Sequence, residues 1–310
     1  MNKELFTLEI KKIASDLGFS LSGVSNPRNY INSNSNLDKW IDDGMHASME
    51  WIKNRKEERN NIYSYFPEIR SVISLGYNYY TESEIKNQKY KISNYAWGED
   101  YHIILKNKLE IFIDKIKEIK KDDFKYRLCV DTSPVMEKLW AKRSGLGWIG
   151  KHTNLISPKK GTWFFLSEIL LDFDLIYDDE FNYDLCGTCT KCIDECPTNA
   201  LYEYKLDSNK CISYLTIEHR GALNKDIKDK LSNWIYGCDI CQQVCPWNIK
   251  YEIVTSDENF KIRSDIKSMN QSLWENLSED KFKKIFKKSA IKRTKYAGLK
   301  RNIELNKNNY

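Results

Sequence analysis

The sequence predicts an α+β protein made of a mixed first part, a compact cysteine-rich module and a short basic helical tail. Three observations predict it. Helix-like and strand-like hydrophobic patterns alternate over residues 1–175. Eight of the nine cysteines then fall between residues 186 and 245. Beyond residue 250 the chain turns basic. With 310 residues, 41% hydrophobic and 13% aromatic, the chain can bury a large core, which excludes a wholly disordered protein. We divide it at 1–175, 176–250 and 251–310.

The first segment, MNKELFTLEIKKIASDLGF, is amphipathic, with Leu5, Leu8, Ile13 and Leu17 expected on the buried face of a helix. It has no continuous apolar stretch of the secretory kind, and no run in the chain reaches the roughly 20 apolar residues that span a bilayer. We therefore expect a soluble, cytoplasmic monomer with no membrane partner. SVISLGYNYY (71–80) is rich in β-formers and reads as a strand. Leu105, Leu109, Phe112, Ile113 and Ile116 recur at helical spacing and predict a helix over 101–119. KYRLCVD (125–131) is a second strand, after which Ser133 and Pro134 predict a helix start, Ser as cap and Pro in the first turn. GTWFFLSEILLDF (161–173) is apolar enough for a strand covered on both faces. The acidic stretch 172–184 is expected to be a solvated linker.

The cysteines carry the most specific signal. Cys186-x2-Cys189-x2-Cys192-x3-Cys196-Pro197 is the run of a bacterial two-cluster ferredoxin, whose fourth cysteine ligates the other cluster. Cys238-x2-Cys241-x3-Cys245-Pro246 forms the second motif, with Cys211 upstream. Three cysteines at this spacing wrap three corners of one cube, and the Pro-stopped turn sends the fourth thiolate to the neighbouring cube. Cys186, Cys189, Cys192 and Cys245 are thus assigned to cluster one, and Cys196, Cys211, Cys238 and Cys241 to cluster two, both [4Fe–4S]. Structural zinc explains neither the long run nor the second Cys-Pro. The Cys-x3-Cys-x2-Cys triplet of radical enzymes is absent. Cys129, inside a strand, reads as a core thiol. Two adjacent clusters make an electron wire, and the large domain attached to them gives the electrons a destination in the same chain.

Several segments of that domain resemble the epoxyqueuosine reductase family. They are GMHASMEWIKNR (44–55), NYAWGEDYH (94–102), VDTSPVMEKLWAKRSGLGWIGKHTNLI (130–156), CISYLTIEHRG (211–221) and GCDICQQVCPWN (237–248). The chain departs from the family pattern at His46-Ala47, which is displaced, and at Asn94 and Glu99, where arginines are usual. The match runs to about Asn302, short of the helical-repeat extension that family members often carry. The resemblance implies a fold related to flavin nitroreductases, adapted to hold cobalamin. It implies reductive removal of the epoxide oxygen of epoxyqueuosine in a tRNA anticodon loop, with electrons from an external one-electron donor. By motif position it implies cobalamin contacts from Arg55, Tyr95, Asp131, Lys151, His152, Thr153, Asn154, Ser213 and Arg220.

That reaction takes two electrons and two protons, and a protein acid must protonate the departing oxygen. Asp131, at a strand end, is the candidate and matches the family's proton donor. A helix N-terminus would lower its pKa and burial would raise it. Asp100-x-His102 begins a cobalamin signature, but Leu105 stands where that signature needs Gly, so His102 is not taken as a cobalt ligand. Gly145, Gly147 and Gly150 have dinucleotide-loop spacing but follow a helical pattern, and read as a glycine-rich turn.

The net charge of +5 hides an asymmetry. KFKKIFKKSAIKRTKYAGLKR (281–301) contains no acid, leaving the rest of the chain net acidic. Phe282, Ile285 and Phe286 can anchor one face while lysines such as Lys283, Lys287 and Lys292 turn to a phosphate backbone. Two rival readings remain: a ferredoxin-type carrier whose large domain only docks a partner, and a related corrinoid reductase acting on a small molecule.

Overall fold

A computed structural model describes residues 2–30, 35–82 and 88–307. Its centre is a four-stranded antiparallel sheet in the order Leu21–Ser25, Ser71–Asn78, Phe164–Leu171, Tyr126–Cys129. Side chains alternate between its faces. One face carries Val24, Ile73, Leu75, Ile169 and Leu171, covered by helices Lys3–Asp16 and Tyr101–Lys120. The other carries Val72, Cys129 and Leu170, covered by Trp140 of helix Glu137–Arg143. Cys129 is fully buried, a core thiol as expected. The strand from Phe164 is covered on both faces over Ser167–Leu171, which is why it shows no hydrophobic alternation.

Helix Tyr101–Lys120 buries the five apolar residues that predicted it, and Asp100 caps it by accepting from the His102 amide. The first helix differs from expectation. Its buried face is Thr7, Ile10, Ile13 and Ala14, and Leu5 and Leu8 are exposed. Ile10, Ile13 and Ala14 share a 3–4 spacing that Leu5 and Leu8 do not join, so a count of apolar residues misplaced the stripe.

The predicted helix start at Ser133–Pro134 is also corrected. Residues 131–135 turn instead, Thr132 N bonding to Val130 O (2.6 Å) and Val135 N to Ser133 O (2.8 Å). The helix begins at Glu137, with Met136 as an N-cap that makes no side-chain bond. It ends in a Schellman-type closure at Gly145 (φ 77°), whose amide bonds to Lys142 O. A Cβ on Gly147 would lie 2.0 Å from Ile156 O, so the glycines of this stretch serve a helix end and a tight hairpin.

The acidic stretch is a strap rather than a free linker. Asp178 pairs with Lys11 (2.5 Å) and accepts from Val24 N (2.8 Å), and Glu180 pairs with Lys142 (2.9 Å). The three divisions of the chain interlock. Lys91–Ile92 pairs in parallel with Trp234–Tyr236 of the cysteine-rich part. Asn94, where the resemblance has arginine, is buried; its side chain donates to Thr81 O and its amide to Asp239. The tail packs Phe282, Phe286, Ile291 and Leu299 against Tyr90, Ile92, Trp97 and Tyr236. Among the described residues no helix is long and apolar enough to cross a membrane.

Glu168 sits in this core with 0% exposure, and neither carboxylate oxygen has a hydrogen-bond partner among the described residues. Burial holds its carboxyl well above the ordinary range, and the Glu137 carboxyl adds to this. A raised carboxyl loses its stability contribution as pH climbs above the unfolded value, here from about pH 4.5 upward. Glu168→Gln cannot ionise. Its thermal midpoint is expected to exceed wild type by a few degrees near pH 8, for about 1–2 kcal/mol. Near pH 5 the gap should close. Parallel midpoint curves for the two proteins would disprove this account of Glu168.

Candidate functional site

The cysteines divide between two cavities. Cys186, Cys189, Cys192 and Cys245 line one of about 160 Å³, with Lys151, His152 and Trp247. Cys196, Cys211, Cys238 and Cys241 line the other, of about 260 Å³. Among the described residues no group of three or more His, Cys, Asp or Glu converges on a single-ion site. The thiols instead line two separate cavities, four to each, and the donor set is all sulfur, as iron–sulfur cubes require.

Protein N–H groups already point at the sulfurs. Trp148 Nε1 donates to Cys186 Sγ (3.4 Å) and Ala200 N to Cys196 Sγ (3.4 Å). Burial pushes the Cys192 thiol up to about 11 and the Cys241 thiol well above its usual value. Such thiols become thiolates when iron supplies compensating charge. His152 lies in the wall between the cavities. Its Nδ1 accepts from Asn154 N (3.1 Å), and its buried Nε2 has no partner among the described residues. Burial holds this imidazole down to about 4, so it is neutral and has an N–H to offer a cluster sulfur.

The larger cavity also gathers Tyr95, His152, Thr153, Asn154 and Ser213 beside the second set of cysteines. Lys138 braces this wall from its helix, donating to Thr153 O (2.9 Å) and Asn154 Oδ1 (3.0 Å). Thr153 has φ 66°, an uncommon value that for a β-branched residue marks a tightly held turn.

The other expected contacts stand elsewhere. Lys151 is turned to the smaller cavity and pairs with Glu203 (2.7 Å). Arg55 pairs with Glu58 (2.6 Å). Arg220 donates to Ile217 O (2.8 Å) and Arg293 O (2.9 Å), a brace between the cysteine-rich part and the tail.

Asp131 also has a left-handed backbone, φ 57°. Its amide donates to Glu137 Oε1 (2.6 Å), which fixes the turn. Its side chain is 57% exposed, and Oδ2 lies 3.0 Å from His102 Nε2. His102 Nδ1 lies 2.8 Å from Asp100 Oδ1, and the second Asp100 oxygen pairs with Lys292 (2.7 Å). Burial raises the Asp131 carboxyl, but the His102 hydrogen bond and charge outweigh it and leave Asp131 below the ordinary range. Burial opposes charge on His102, yet the two carboxylates carry the imidazole up to about 9. The pair is therefore an ion pair at neutral pH. No helix end contributes, since the helix starts only at Glu137.

Sequence reasoning set His102 aside as a cobalt ligand and gave it no other role. It also passed over Glu137 and Lys138. The available signal was Asp100-x-His102 at a helix start, which puts a cap carboxylate beside the ring.

In the tail, Phe282 and Phe286 are buried and Ile285 packs against them, as the spacing predicts. The charges are less uniform than expected. Lys283 pairs with Glu279 (2.8 Å) and Lys292 with Asp100. Arg293 grips Glu218 with two nitrogens and lies over Trp51. Lys281, Lys284 and Lys287 are exposed, with no ion pair among the described residues.

Comparisons with known proteins give a consistent picture. Residues 185–248 match the family model for a 4Fe-4S double cluster binding domain, and residues 59–132 match that for epoxyqueuosine reductase QueG, DUF1730. Epoxyqueuosine reductase of Cellulophaga algicola is 43% identical, over 97% of this chain and 98% of its own length. That of Leadbetterella byssophila is 43% identical over 96% and 97%. A solved epoxyqueuosine reductase with an epoxyqueuosine-modified tRNA-Tyr stem loop superposes with a TM-score of 0.86 at 25% identity, over 98% of this chain and 81% of that one. Catabolic reductive dehalogenase structures share only the fold, one with a TM-score of 0.52 at 15% identity, over 81% of this chain and 33% of that one.

Proposed function

We propose that this chain, which belongs to the epoxyqueuosine reductase family, removes the epoxide oxygen of epoxyqueuosine in a tRNA anticodon loop, with Asp131 handing a proton to the departing oxygen. The observation that carries this reading is that one helix serves two features. Glu137 at its start anchors the turn of the exposed Asp131, which is hydrogen-bonded to His102, and the next residue, Lys138, braces the cavity walled by Cys196, Cys211, Cys238 and Cys241. A proton source and the inner end of an electron wire then serve one substrate.

The donor chemistry of this wall suits a cobalamin. Thr153, Asn154 and Ser213, with Tyr95 beside them, line the wall of the second cluster's cavity, polar side chains suited to an amide-rimmed macrocycle, and they would hold it against that wall, next to the cluster. When bound, the corrinoid supplies a metal that collects electrons singly and passes them to carbon. The chain's own residues orient the group, seat the anticodon loop and hold the proton. Arg55 and Arg220, each engaged in protein contacts, fit positioning roles better than direct cofactor contacts. Electrons enter from an external one-electron donor at the Cys186–Cys245 cluster. The 1–175, 176–250 and 251–310 divisions correspond to cofactor and substrate binding, electron relay and RNA contact.

The test is anaerobic reconstitution with iron, sulfide and cobalamin. A chemical reductant and an epoxyqueuosine-bearing anticodon stem loop are then added. The expected result is loss of one oxygen from the modified nucleoside by mass spectrometry. No loss in protein holding both clusters and corrinoid would overturn the reading.

The tail's grip on RNA is tested separately. Lys281→Gln, Lys284→Gln and Lys287→Gln together should weaken tRNA binding, because these lysines are exposed and have no ion pair among the described residues. The slope of log K against log salt should flatten by roughly one for each phosphate no longer neutralised, about two to three in all. The weakening should be the same with or without the modified base, since phosphate contacts position without specifying. An unchanged slope would move the RNA surface elsewhere.

A further inference from the structure

The geometry around Asp131 leaves one proton to be placed. Both ring nitrogens of His102 face carboxylate oxygens, Nδ1 toward Asp100 at 2.8 Å and Nε2 toward Asp131 at 3.0 Å. A neutral imidazole carries a single N–H, so one of these contacts would set a lone pair against a carboxylate. Asp100 cannot relieve that by holding a proton. Its side chain is 4% exposed and shared between His102 and Lys292, an arrangement that favours carboxylate. The extra proton therefore lies on the His102–Asp131 contact.

We propose that His102 is the positioning residue that stores this proton and passes it to Asp131, so that Asp100, His102 and Asp131 work as a relay fixed from behind by Lys292. The proposal rests on the epoxide-opening reading above. The His102 Nε2–H breaks as an O–H bond forms on the Asp131 carboxylate. As the C–O bond breaks, that Asp131 O–H breaks and an O–H bond forms to the leaving oxygen. Asp131 ends as the carboxylate it began as and His102 ends neutral, to be reloaded from solvent. The relay moves no electrons.

The need for such a store follows from exposure. Asp131 is open to water, with 57% of its side chain exposed, but a seated cofactor and anticodon loop would cover it and cut that supply. His102 approaches from the protein side, its ring stacked on Tyr101 (4.1 Å) and that ring on Phe165 (4.3 Å). The charged and titratable groups facing the pair come from every packed element. Asp100 caps its own helix, whose Tyr101 hydroxyl hydrogen-bonds Asp131; Glu137 begins the next helix, Arg59 comes from helix Lys56–Asn60, and Lys292 and Arg293 come from the tail. Burial leaves the Glu137 carboxyl raised, so it adds little negative charge of its own at neutral pH. Arg293 is committed to Glu218. The imidazolium is thus matched mainly by Asp100 and Asp131, and Lys292 offsets Asp100.

The chain has four histidines, so His102 can be assigned by difference. In holoprotein labelled with ¹⁵N-histidine, the signal missing in His102→Gln should titrate near 9 in wild type. In Asp131→Asn it should fall by a unit or more. Asp100→Asn keeps a good helix cap and both neighbouring side chains, and should also lower it. The single-turnover rate of wild type should fall as pH rises through the same value, because the stored proton is lost. In Asp100→Asn that alkaline limb should move down in step with the His102 titration. His102→Gln should be slower by about tenfold or more at neutral pH and lack the limb.

A His102 that merely props Asp131 would slow turnover without tying the limb to its own titration. A His102 neutral at pH 7 in holoprotein overturns the proposal, as does a wild-type limb retained in His102→Gln. Wild type that never removes the epoxide oxygen defeats the functional reading instead, and the NMR titration still reports on the proton.

Discussion

Cys196→Ser should cost this protein the cluster in the larger cavity and leave the other intact, and Cys245→Ser should do the reverse. Neighbours in sequence would suggest otherwise, because Cys196 follows Cys192 within one motif and Cys245 follows Cys241 within the second. The chain crosses over in space. Cys245 lines the cavity of Cys186, Cys189 and Cys192, while Cys196 lines that of Cys211, Cys238 and Cys241. Serine is a poor ligand for iron in place of thiolate, and a cube with three thiolates in a buried site is readily lost. Each variant should hold about four irons per chain against about eight in wild type. The spectra of the two variants should differ and sum to that of wild type. Both should lose turnover almost completely, since either break interrupts the electron path. Loss of the same cluster in both variants would refute the crossed assignment.

The parts legible in the sequence were those with short-range causes. The spacing of the cysteine runs is set by local loop geometry, so the eight ligand candidates could be written down from the chain; their crossed partition came from the likeness of the run to a two-cluster ferredoxin, and the two cavities group the cysteines in the same way. The 101–120 helix followed from a stripe whose five members are all buried. The start of the 137–143 helix was not legible. Ser133 and Pro134 carry cap chemistry, but the left-handed turn at Asp131, tied by its amide to Glu137, postpones the helix. The first helix failed for a related reason: which apolar stripe is buried depends on the sheet beneath it.

The site was half legible. Tyr95, Thr153, Asn154 and Ser213 come together from distant segments, and only the family motifs pointed to them. In the sequence the Asp100-x-His102 pattern speaks only to metal ligation, which Leu105 argues against, and carries no sign of a proton role. The contact of His102 with Asp131 spans 29 residues and could not be seen in one dimension. Likewise the tail read as a uniform run of positive charge, whereas Lys292 and Arg293 are spent on Asp100 and Glu218 inside the molecule.

Asp131→Asn should abolish most turnover while leaving the architecture in place. The backbone at this position is left-handed, and asparagine adopts that conformation as readily as aspartate. The bond that fixes the turn uses the Asp131 amide, which the substitution keeps. Both clusters and the bound corrinoid should therefore be retained, measured as iron content and absorbance. On the proposed relay, what the variant loses is an oxygen that can take a proton from His102 and release it. Asp131 is ionised at rest beside a protonated His102, so its value lies in passing a proton rather than in holding one. An amide cannot do this near neutral pH. The expected loss is about 10²–10⁴-fold in single-turnover rate, the usual contribution of a positioned general acid. Binding of the stem loop should change little, because removing one carboxylate from a cleft that receives RNA also removes a repulsion. Asp131→Glu, which keeps the carboxyl but displaces it by a methylene, should recover part of the rate. Asn at the wild-type rate, with clusters and corrinoid in place, would show that the proton reaches the leaving oxygen by another route.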